Sequence, residues 1–91
     1  MKKILVIGAG SWGTALANTL AHNNKNVFLW TEKQNVSDQI NKNKINKKYF
    51  KKILLHKNIS SIFGKIDPKL YSVIFYVLPA KAFDKFLKNY L

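Results

Sequence analysis

Residues 3–13 read Lys3-Ile4-Leu5-Val6-Ile7-Gly8-Ala9-Gly10-Ser11-Trp12-Gly13. Ile4 to Ile7 is an unbroken apolar run, which suits a strand buried on both faces of a parallel sheet. Gly8-x-Gly10-x-x-Gly13 follows at once, and a helix is predicted over Ser11–Asn23. Strand, glycine turn and helix in that order form the context in which this spacing cradles a dinucleotide pyrophosphate. Gly8 serves the tight turn off the strand, Gly10 the close approach of a phosphate, and Gly13 the packing of helix on sheet. The helix start adds unpaired N–H groups and a partial positive charge, both favourable to an anion. A glycine turn without a ligand is the plainer alternative. Lys2 and Lys3 before an apolar run, with Ala15-Leu16-Ala17 after it, also have the outline of a secretory leader. That run is shorter than the roughly 7–15 residues such a leader needs, and glycines interrupt it.

Outward from this opening the chain alternates. Ser11 is placed to cap the first helix. Trp12, Leu16 and Leu20 recur at every fourth position, with Ala17 and Ala21 beside them, so that this face is expected against the sheet. Val27 to Trp30 reads as a second strand, ended by Thr31-Glu32-Lys33. Glu32 follows Gly13 by about 20 residues, where a dinucleotide fold places an acid for the ribose hydroxyls. A surface glutamate at a strand end is the alternative. Gln34 to Lys44 reads as a second helix anchored by Val36 and Ile40, with Asp38 solvated.

Ile45 to Asn58 is polar and lysine-rich, a long loop with Tyr49, Phe50, Ile53, Leu54 and Leu55 as apolar islands. Ile59 to Phe63 is a weak third strand, and Gly64 to Leu70, with Asp67-Pro68, a turn. Val73 to Leu78 is a fourth strand, stopped by Pro79. Phe83, Phe86, Leu87, Tyr90 and Leu91 make a helical stripe, expected in the core. The pattern predicts an α/β fold, a partial Rossmann-like doubly wound parallel sheet of four strands. Right-handed crossovers order them 3-2-1-4. Such a sheet leaves strand four as an apolar edge open to self-association.

Composition sets further limits. The chain has 91 residues and a net charge of +12. All 16 cations are lysine and are scattered, so the charge reads as a solvated surface rather than a specific nucleic-acid site. Cysteine is absent, which excludes a disulfide framework and a thiolate metal site. No apolar stretch approaches the ~20 residues of a membrane span. A reducing cytoplasm is the expected location. His22 and His56 have no partner spacing for a metal or a triad and are expected in solvent. Glu32, Asp38, Asp67 and Asp84 form no catalytic pair.

Gly8-Ala9-Gly10-Ser11-Trp12-Gly13-Thr14-Ala15-Leu16-Ala17 resembles the opening of the bacterial NAD(P)-dependent glycerol-3-phosphate dehydrogenases. Val27 to Trp30 resembles that family's second strand, which commonly ends in Leu-Trp. Asn43, Asn46 and Tyr49-Phe50 resemble its Asn-x-x-Tyr-Leu-Pro-Gly-Ile loop, and Val77-Leu78-Pro79-Ala80 its Val-Pro-Ser at the end of strand four. The chain departs from the family at Glu32, where arginine is common, at Lys51-Lys52 in place of Pro-Gly, and at Tyr71-Ser72 in place of an acid. The resemblance implies that Gly8, Gly10, Ser11, Trp12 and Gly13 bind the phosphates and nearby groups of NAD or NADP. Glu32 and Lys33 would sit at the adenosine ribose. It implies residues 1–91 as the N-terminal part of the cofactor domain, with the catalytic lysine, the substrate-phosphate contacts and a helical substrate domain beyond Leu91. No catalytic residue is assigned within the chain, and a small phosphorylated substrate is expected only for a complete enzyme. The alternatives are an inactive nucleotide-binding remnant or a piece of another dehydrogenase, such as one for 3-hydroxy acids.

Overall fold

The computed structural model describes residues 2–47 and 54–91. Tyr49, Phe50, Lys51, Lys52 and Ile53 of the middle segment lie outside the described residues. Four parallel strands form one sheet: β1 (Ile4–Ile7), β2 (Val27–Trp30), β3 (Ile59–Ile62) and β4 (Val73–Tyr76). Their order is β3-β2-β1-β4, as the crossover rule predicts. Ile4 pairs with Val27 on one side and Val73 on the other, and Val27 pairs with Ile59. Among the described residues the α-helices are α1 (Ser11–Ala21), α2 (Gln34–Asn43) and α3 (Phe83–Tyr90). Two short 3₁₀ turns, Pro68–Leu70 and Ala80–Ala82, flank β4.

Strand alternation divides the core into two layers. Val6, Val27, Leu29 and Ile59 face one way and pack with Ala17 and Ala21 of α1, Ile40 of α2 and Leu55. Leu5, Ile7 and Trp30 face the other way and pack with Ile66 and with Phe86 of α3. Trp30 is the centre of the second layer. Its ring meets Phe86 and Tyr90 edge-on at 5.0 and 4.9 Å, and its Nε1–H donates to the Gly64 carbonyl at 2.9 Å. Edge-to-face contact suits the opposed polarity of ring edge and face.

Several expectations need correction. The face of α1 against the sheet is Gly13, Thr14, Ala17 and Ala21, not the Trp12-Leu16-Leu20 row. Trp12 is 83% exposed, and the two leucines only flank the core. The helix lies too close to the sheet for large side chains beneath it. The expected Ser11 cap is also absent, because Gly10 occupies the N-cap and no side chain bonds there. Strand β4 stops at Tyr76, two residues before Leu78. Of the α3 stripe only Phe86 is buried, while Phe83, Leu87 and Leu91 are exposed. His22 is exposed as expected, whereas His56 is half-buried. Their rings meet edge-on at 5.0 Å, and His56 Nδ1 accepts from the Asn58 N–H.

Candidate dinucleotide-binding site

The site begins where β1 ends. Gly8 has φ 119°, a conformation that side chains with a Cβ rarely adopt. An added Cβ there would stand 3.1–3.2 Å from Leu78 and the Val77 backbone. Gly13 is tighter still, since a Cβ would lie 1.6 Å from the Gly8 carbonyl oxygen. The first turn of α1 therefore rests directly on the strand end. Around a Cβ at Gly10 there is no atom within 4 Å. That face of the loop is open, and it adjoins the start of an eleven-residue helix. With no side-chain cap at Gly10, the first-turn N–H groups remain available to an external anion.

The end of β2 forms the opposite wall. Thr31 is buried and donates its N–H to the Ile62 carbonyl at 3.0 Å. Its hydroxyl accepts from the Lys33 N–H at 3.3 Å. These two bonds fix the turn and leave Glu32 and Lys33 exposed. Between loop and turn lies an open cleft of about 180 Å³, lined by Gly8 and Gly10 of the loop, Glu32 and Lys33 of the turn, and Asn46 and Leu78. A second depression of about 150 Å³ lies towards α3, lined by Lys85, Phe86 and Tyr90, and shares Trp30, Glu32 and Leu78 with the first. Glu32 thus stands where two hollows meet.

The structure brings Gly8, Gly10, Glu32 and Lys33 to one cleft. Ser11 and Trp12 are exposed at the helix start and do not line it, and Gly13 is buried beneath the loop. Asn46 was singled out in the sequence only as part of a family-like loop, without a role. Here it is 1% exposed, and its Nδ2 donates at 2.9 Å both to the Ala9 carbonyl and to the Thr14 hydroxyl. Its position in a lysine-rich stretch carried no periodic signal. Among the described residues no group of three or more His, Cys, Asp or Glu is placed to hold a metal ion. No described helix is long and apolar enough to cross a membrane.

A parallel β3-β2-β1-β4 sheet, helices on both faces and a glycine turn from the central strand into a helix define the first half of a Rossmann-type dinucleotide-binding domain. Residues 3–91 match the family model of the NAD-dependent glycerol-3-phosphate dehydrogenase N-terminus, and the chain belongs to that family. It is 40% identical over 90 residues to a glycerol-3-phosphate dehydrogenase [NAD(P)+] of Leuconostoc citreum, covering 98% of this chain and 27% of that protein. The same enzyme of Bacillus cytotoxicus is 40% identical over 91 residues, covering 98% and 26%. The crystal structure of glycerol-3-phosphate dehydrogenase from Coxiella burnetii superposes with a TM-score of 0.78 at 30% identity, over 92% of this chain and 26% of that one. The chain thus spans about a quarter of the length of the relatives it matches. These matches lend no support to a 3-hydroxyacid dehydrogenase.

Proposed function

We propose that residues 1–91 are the N-terminal, cofactor-binding part of a cytoplasmic glycerol-3-phosphate dehydrogenase. The complete enzyme interconverts glycerol 3-phosphate and dihydroxyacetone phosphate, a step that supplies phospholipid precursors. The observation that carries the reading is the open face of Gly10, beside an uncapped helix start and across one cleft from Glu32. The residues present fit a dinucleotide. Gly8 and Gly13 allow the turn and the close packing of α1 on the strand end, Gly10 leaves room for the pyrophosphate, and the first-turn N–H groups, Ser11 among them, donate to it. Trp12, exposed on that turn, is available to groups of the cofactor outside the cleft. When bound, the nicotinamide ring gives or takes the hydride.

Glu32 and Lys33 meet the adenosine ribose. The Glu32 carboxylate accepts from the 2′- and 3′-hydroxyls and opposes a 2′-phosphate. The strand end is open to solvent, so the discrimination is about 1–2 kcal/mol, or roughly 5–30-fold in favour of NAD. Lys33 works against it, but its flexible ammonium is a less organised phosphate partner than an arginine fork. Titration calorimetry with NAD and NADP on the wild type and on Glu32→Arg tests the assignment. NAD binds tighter to the wild type, and Glu32→Arg moves the ratio towards NADP. Equal or tighter NADP binding by the wild type refutes the role given to Glu32.

A further inference from the structure

We infer that Asn46 is a positioning residue for pyrophosphate recognition, acting through the Ala9–Gly10 peptide. The inference rests on the dinucleotide reading of the cleft. Asn46 lies on the segment after α2, far in sequence from the glycine loop, yet its buried carboxamide reaches under that loop. Both Nδ2 hydrogens are used, one on the Ala9 carbonyl and one on the Thr14 hydroxyl, each at 2.9 Å. Thr14 is itself fully buried, and its N–H donates to the Gly10 carbonyl at 3.0 Å. One amide therefore ties the glycine loop to the first turn of the helix.

The grip on Ala9 has a directional consequence. A peptide unit is planar, and none in the described chain is cis. The Ala9 carbonyl and the Gly10 N–H therefore point in opposite directions. Because Asn46, itself buried, holds the carbonyl, the Gly10 N–H points away from Asn46. The Cβ position of Gly10 is also open, with no atom within 4 Å, so a ligand can come close to this residue. Without Asn46, this peptide is free to rotate, since glycine tolerates either orientation. The donor is then no longer pre-aimed, and the Ala9 carbonyl can turn its negative end towards the phosphate. Asn46 thus sets the polarity of the loop through the Ala9–Gly10 peptide.

The test uses the 91-residue chain, with NAD, inorganic pyrophosphate and adenosine as probes. Asn46→Ala is expected to weaken NAD and pyrophosphate binding by about 10-fold or more, the scale of one lost charge-assisted hydrogen bond. Adenosine binding stays within about twofold, because that end of the cleft is built from β2. In the wild type the Gly10 amide resonance shifts on adding pyrophosphate, and in the variant this shift collapses. A folded variant that binds NAD as the wild type does overturns the inference alone. So does an equal loss for NAD and adenosine, which marks a merely structural role. If Asn46→Ala shows no thermal unfolding transition, the wild-type spectrum decides, and a Gly10 amide unmoved by pyrophosphate overturns it. A wild-type chain that binds neither NAD nor pyrophosphate sinks the dinucleotide reading, and the inference with it.

Discussion

Strands β1 and β4 lie side by side and carry similar apolar sequences, yet their surroundings differ. Leu5 and Val6 have no exposed surface, while Val73 and Ile74 are 36% and 38% exposed. Strand β1 has a partner on each side, α1 over one face and the Trp30–Phe86 layer over the other. Among the described residues strand β4 has one partner, β1, and its other edge is unpaired. Apolar character is thus a property of the chain, but burial is a property of position in the sheet. The same contrast separates Phe86, which reaches Trp30, from the more exposed Phe83 and Leu87 of the same helix and Leu91 just past its end.

The sharpest way to break this comparison is to truncate a side chain in each strand. Leu5→Ala is expected to cost about 3–4 kcal/mol, because it leaves a cavity between packed layers. Ile74→Ala should cost less, about 1–2 kcal/mol, since more than a third of that residue already meets water and no enclosed cavity is left. Urea midpoints of the two variants read the difference directly, and equal shifts would mean that β4 is as enclosed as β1.

A smaller effect tests the open edge itself. We expect the chain to self-associate through β4 at about 0.5–1 M salt, where screening removes the repulsion among its lysines. Ile74→Lys should return it to a monomer with little change in stability. Sedimentation of both proteins checks this, and a sharp wild-type monomer at high salt would count against the edge as a pairing surface.

The smallest effect sharpens the contrast from the β4 side. Tyr71, just before β4, packs edge-on against Phe28 at 5.6 Å. Burial, and secondarily the nearby Asp67 carboxylate, raise its hydroxyl above the usual 10.0. A raised folded-state pKa means that the native chain holds its proton longer than the unfolded one. The contribution is therefore complete below pH ~10 and is lost as pH rises through the folded-state value. Comparing unfolding of wild type and Tyr71→Phe from pH 8 to 11.5 isolates it from the lysines. The wild type should lose more stability above pH ~10, and parallel curves would discount the shift.

Much of the architecture was legible because it rests on local pattern. Four apolar runs alternating with helices, and the glycine spacing after the first, point to the strand order, since crossover handedness leaves few choices. The helix faces were harder. Trp12, Leu16 and Leu20 formed the more conspicuous row on α1, but the close approach at Gly13 leaves space only for alanine and threonine beneath it. Size along a helix indicates an apolar face, not how far that face stands from the sheet. In the site, the glycines and Glu32 were visible through spacing. Asn46 was not visible as a tether, since a lone asparagine bonded to residues 37 and 32 positions away leaves no trace in local sequence. The His22–His56 contact was hidden for the same reason.

The pairing of Ile4 with Val73 also bears on the order in which the chain folds. The β1–β2 pair closes across one helix, whereas β1–β4 closes a loop spanning most of the chain. Loop-closure entropy and topology make such non-local parallel pairings late and slow. During synthesis, β1 leaves the ribosome early and pairs with β2, but its other edge waits for residues 73–76. For that interval the strand most enclosed in the finished molecule presents an open, uncharged backbone edge. The interval of greatest exposure to misassociation and chaperone capture therefore falls on the strand that carries the glycine turn.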